Sequence, residues 1–74
     1  MIECKLSTLM GAQRKKISEV SRATGISRTT LIELYYDRSK AVSFRVVELL
    51  CRYLNCTVGD LFVIKEENGV KVNE

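Results

Sequence analysis

The sequence predicts an all-α fold, one compact domain of five short helices with short strands allowed at its two ends. Three observations predict it. Apolar residues recur at helical spacing through most of the chain. Ser27, Ser43 and Thr57 each stand just before such a run, where a hydroxyl caps a helix. The 74 residues are 46% hydrophobic and 28% charged, a globular balance in a chain too short for a second core.

Ile2, Cys4 and Leu6 alternate, which suggests a short strand. Leu6, Leu9 and Met10 then repeat as a helix from about Lys5 to Gln13, and Arg14-Lys15-Lys16 is a basic connector. The second helix runs from Ile17 to Thr24 and turns Ile17, Val20 and Thr24 to one side. Gly25 follows, where a left-handed residue ends a helix most cheaply. Ser27 caps a third helix to about Tyr36, with Leu31, Leu34 and Tyr35 inward. After a polar loop over 37–42, Ser43 caps a fourth helix, Phe44 to Leu54, burying Val46, Val47, Leu50, Cys51 and Leu54. Thr57 and Asp60 form a capping box for a short fifth helix through Leu61. The core thus spans about 5–62 of a single domain over 1–74. Residues 63–74 read as a C-terminal strand or an acidic tail: Phe62–Lys65 alternates, and Asn68-Gly69 could turn it back onto Val70–Val72.

Composition excludes several functions. The chain has no His, which removes the commonest general base and metal ligand together, and it is too small for a large enclosed cavity. No catalytic residue, metal site or cofactor is expected, nor a small-molecule effector. No apolar run approaches a membrane span, and no leader is apparent, so a complete, soluble, cytoplasmic chain is expected. Cys4, Cys51 and Cys56 fit no zinc spacing; Cys51 reads as a small buried hydrophobe, Cys4 and Cys56 as partly exposed. The net charge of +3 is unevenly placed: residues 1–52 hold ten Lys/Arg against five Asp/Glu, residues 53–74 two against four. A scattered basic surface of this kind suits nucleic acid better than membrane.

The segment Lys16 to Tyr36 reads helix, glycine turn, helix, with Gly25-Ile26-Ser27 as the whole turn. So short a turn crosses the second helix over the first and leaves its outer face projecting. At about 100° per residue Leu31 and Leu34 point inward, and Thr29, Glu33 and Tyr36 outward, with Ile32 beside them and Arg28 at the exposed N-terminal end. Such a helix fits a major groove about 12 Å wide. Helix N-termini ordinarily favour acidic residues, yet Arg28 opens one helix and Lys15-Lys16 the other, as suits ends that approach phosphates.

The stretch from Ile17 to Leu34, with Val20, Gly25, Ile26, Leu31 and Leu34 at their spacing, resembles the phage Cro/repressor (Xre-like) helix-turn-helix family. So does the downstream Leu-Asn-Cys-Thr-Val-Gly-Asp-Leu-Phe, and the resemblance covers about Leu6 to Phe62. It implies a five-helix repressor-like DNA-binding domain encoded by a bacterium, a phage or a mobile element. It implies base contacts by Arg28, Thr29, Thr30 and Glu33, and phosphate contacts by Tyr36, Arg38 and Lys40. Their chemistry agrees: Arg28 can hold guanine in bidentate fashion, Thr29 or Ile32 can meet a thymine methyl, and Glu33 can accept from cytosine or pair with Arg28 or Arg38. Lys15, Lys16 and Ser27 join the phosphate set. The chain departs from the family at Ile17, where glutamine is common, at Ser21, where alanine is common and a hydroxyl now needs a partner, and at Thr24.

The family mostly works as two-fold dimers, so a homodimer is expected, held by the terminal strands or the fifth-helix region, with strand pairing open between one chain and two. The expected function is sequence-specific binding of double-stranded DNA as a small transcriptional regulator, a repressor, and not an enzyme. The alternative is a protein-binding adaptor or antitoxin-like module using Ile32 and Tyr36.

Overall fold

The computed structural model describes residues 1–65. Along them run β1 (Ile2–Cys4), α1 (Leu6–Ala12), α2 (Ile17–Thr24), α3 (Arg28–Tyr35), α4 (Phe44–Leu54), α5 (Val58–Leu61) and β2 (Phe62–Ile64). The hairpin expected at 68–72 lies outside the described residues. The bounds of α2 and α4 agree with the sequence reading, and α1 and α3 are shorter by a residue or two at their ends. No helix among the described residues is long and apolar enough to cross a membrane.

Every helix contributes to the core. Leu6 and Met10, Val20, Leu31 and Leu34, Leu50 and Leu54, and Leu61 are fully buried in one cluster. Each such leucine contributes about 1.5–3 kcal/mol over leaving it in water. On α1, α3 and α4 the buried pairs are three or four residues apart, so each of these helices buries one stripe. On α4 only Leu50 and Leu54 are fully buried; Val46, Val47 and Cys51, expected inside, are half-buried, as are Leu49 and Tyr53, which also pack against the core.

Three helices open on the hydroxyls the sequence indicates. Ser27, Ser43 and Thr57 accept hydrogen bonds from the backbone N–H of Thr30, Val46 and Asp60, and the Asp60 carboxylate accepts from Thr57 N–H at 3.0 Å. Two helices share one ending. Asp37 (φ 58°) follows α3 and Asn55 (φ 53°) follows α4 in the left-handed region. The next N–H, of Arg38 and of Cys56, reaches back to the carbonyl of Glu33 at 2.8 Å and of Cys51 at 2.9 Å.

The terminal strands pair with each other within the chain, antiparallel, with Ile2 opposite Ile64 and Cys4 opposite Phe62. Met1 and Lys65 extend the ladder: the Met1 ammonium donates to the Lys65 carbonyl at 2.9 Å and Lys65 N–H to the Met1 carbonyl at 2.7 Å. Cys4 is buried, not partly exposed as expected, because its side of the strand faces the core at the end where α5 turns into β2. Its N–H, on the outer edge of β1, donates to the Asp37 carboxylate at 3.1 Å, which closes part of that edge.

Candidate nucleic-acid interface

The turn between α2 and α3 is built by side chains as well as by glycine. Gly25 sits at φ 79° and its N–H closes on the Ser21 carbonyl at 2.8 Å. Ser21 Oγ donates to the Ile26 carbonyl at 2.7 Å, and Thr24 Oγ1 donates to the Val20 carbonyl at 2.6 Å while accepting from Ile26 N–H at 3.2 Å. Ser21 and Thr24, two of the positions that depart from the family pattern, therefore hold the turn. Ile26 is buried beneath it. With α2 packed on α3 and on α4, the recognition segment has a rigid back.

On that back α3 shows one face. Leu31 and Leu34 are buried, whereas Arg28, Thr29, Ile32, Glu33 and Tyr36 are exposed, the division the helical wheel predicts. Among the described residues Arg28 and Glu33 belong to no ion pair; the two that form are Lys5–Glu3 and Arg52–Glu48. Glu33 is thus not spent on Arg28 or Arg38. Thr30 is placed differently from its neighbours. It is half-buried and its Oγ1 accepts from Ser27 Oγ at 2.9 Å, so the hydroxyl is engaged in the N-terminal cap.

The C-terminal end of α3 is stiffened by stacking. The rings of Tyr35 and Tyr36 meet edge to face at 5.0 Å, and the Arg38 guanidinium lies 5.1 Å over the Tyr36 ring. Tyr36 and Arg38 form one exposed unit, and Lys40 is exposed on the loop that follows. At the start of α2 the lysines are less free. The Lys15 ammonium lies 4.9 Å over the Tyr53 ring. Lys16 is exposed, but its N–H is already taken by Glu19 Oε1 at 3.1 Å, and that carboxylate offsets the positive end of α2.

The first turns of α3 and α4 hold no acidic residue. A cation beside an uncompensated helix N-terminus is the signal that picks out Arg28, and applied to α4 it adds the exposed Arg45, which the sequence reading omits. It also omits Asp37, whose link to β1 leaves no local sign in the chain. The described residues hold no group of three or more His, Cys, Asp or Glu placed to bind a metal ion.

An exposed helix with free polar side chains, set by a short turn on a second helix and flanked by cations, is fit to enter a groove lined with phosphates. Over residues 5–67, well over half of its length, the chain matches the family described as Cro/C1-type HTH DNA-binding domain. No curated protein matches it.

Proposed function

Since the chain belongs to the Cro/C1-type helix-turn-helix DNA-binding family, we propose that it is a sequence-specific regulator of transcription. In this reading it occupies an operator in double-stranded DNA as a repressor, in the cytoplasm of a bacterial cell. Recognition helix α3 enters the major groove, with Arg28, Thr29, Ile32 and Glu33 at base edges and Thr30 next to them through its bond to Ser27. Lys16, Ser27, Tyr36, Arg38 and Lys40 meet phosphates, and Lys15 joins them when its ammonium leaves Tyr53. The observation that carries the reading is the outer face of α3, where the polar side chains are exposed and free of ion pairs among the described residues.

One such unit spans only a few base pairs, so we propose a homodimer on half-sites about one DNA turn apart. Because β1 pairs with β2 in the same chain, contacts between chains fall to the outer sheet edge and the fifth-helix region. Ile2, Ile64 and Val58 are more than half exposed there, which supports this location. A monomer in sedimentation at tens of micromolar overturns the dimer.

Anisotropy of a labelled random duplex, titrated between about 50 and 200 mM salt, tests the DNA reading. Non-specific affinity near 10⁻⁴–10⁻⁶ M is expected, falling with a log–log slope of about −0.9 per phosphate neutralised. Folded protein that fails to bind at the lowest salt overturns it. A second reading, a protein-binding adaptor or antitoxin-like module, draws on Ile32 and Tyr36, 39% and 59% exposed on the same face. A partner that binds through them tolerates Arg28→Ala with Lys40→Ala.

A further inference from the structure

We propose that Cys51 and Cys56 are a dithiol pair that oxidises to an intramolecular disulfide, a modification site at the joint of α4 and α5. The proposal is independent of the DNA reading. It follows from how α4 ends. Residues five apart on a regular helix stand about 140° apart around it and do not meet. Here Asn55 reverses the chain at φ 53°, and Cys56 N–H donates to the Cys51 carbonyl at 2.9 Å. A helix ending of this form brings the side chains at its two ends together, usually as an apolar contact. In this chain those two positions hold thiols, Cys51 and Cys56, whose backbones that bond joins.

The geometry suits a covalent bond. A 2.9 Å hydrogen bond between the two backbones keeps their Cα atoms within the roughly 7 Å that a disulfide spans. Both side chains are half-buried against the core, so an oxidant can reach them. The third thiol, Cys4, is buried on β1 with the Asp37 carboxylate as its polar neighbour. Burial and the neighbouring Cys51 push the Cys56 thiol up to about 11.

With a peroxide as oxidant, the Cys51 thiolate attacks one peroxide oxygen, the O–O bond breaks and hydroxide leaves. The Cys56 sulfur then displaces the hydroxyl group from the Cys51 sulfenic acid. An S–S bond forms, the S–O bond breaks, and the Cys56 proton departs with the hydroxyl as water.

The test treats the reduced, folded chain with stoichiometric hydrogen peroxide. Titratable thiols should fall from three to one, with the mass of two hydrogens lost and the protein still a single chain on a non-reducing gel. Trypsin cuts after Arg52, between the two cysteines, so the peptides 46–52 and 53–65 should appear joined. Cys4→Ser should give the same link, and Cys51→Ser should keep two free thiols. The oxidised chain should melt at a higher temperature than the reduced one. Three surviving thiols, a sulfinic acid without a link, a link between chains or through Cys4, or a lower melting temperature overturns the proposal.

Discussion

At Gly25 no neighbouring heavy atom lies within 4 Å of where a Cβ would stand, so the objection to a side chain there is conformational, not steric. Gly25→Ala should therefore cost about 1–2 kcal/mol, the left-handed penalty alone, and urea denaturation measures it. Single groups also make the stability depend on pH. Two backbone and side-chain hydrogen bonds from Thr57 hold the Asp60 carboxyl below its ordinary range, and the Lys5 ammonium does so for Glu3. A lowered folded value adds stability that is present above the ordinary carboxylate range and is lost as pH falls through it. Melting temperature should thus drop in acid, and Asp60→Asn should flatten that drop. Cys56 works the opposite way. Burial raises its thiol from 9.0 to about 11, so its contribution is complete below pH 9 and disappears as pH climbs towards 11. Cys56→Ser should flatten the alkaline decline; an unchanged limb would sink this assignment.

Helix caps were legible at the scale of single elements because each is a local bond between residues three apart. Ser43 accepts from Val46 N–H at 3.1 Å on an exposed helix end, and Ser43→Ala should cost about 1 kcal/mol in a chemical melt. Ser27→Ala should cost a similar amount of stability, and its effect on DNA affinity should exceed that of Ser43→Ala because Thr30 then loses its partner. The stripes of α2 and α3, and Leu50 and Leu54 on α4, were legible for a related reason, since their period is written along the chain. What could not be seen was contact over distance. Cys4 is buried by a strand some sixty residues away, Asp37 reaches the edge of β1, and Lys15 finds Tyr53. None of these leaves a repeat or a spacing to read. The face of α3 was recovered almost whole, except that Thr30 turns into its own cap, a choice of rotamer that the wheel does not contain.

For the whole molecule the distribution of charge matters more than its sum. Arg28 opens α3 and Lys40 stands on the loop after it, and both are exposed. Replacing both by alanine should weaken binding to DNA and reduce the salt slope by about 1 for each phosphate no longer neutralised, whereas circular dichroism should stay unchanged. An unaltered slope would remove Lys40 from the phosphate set. The joined strands have a mechanical consequence. Met1 and Lys65 lie side by side at one end of the ladder. A force applied between them peels the hydrogen bonds one after another instead of shearing them together. Pulled from these two points, the sheet should open like a zipper at low load, while the five helices bear tension only after it has parted.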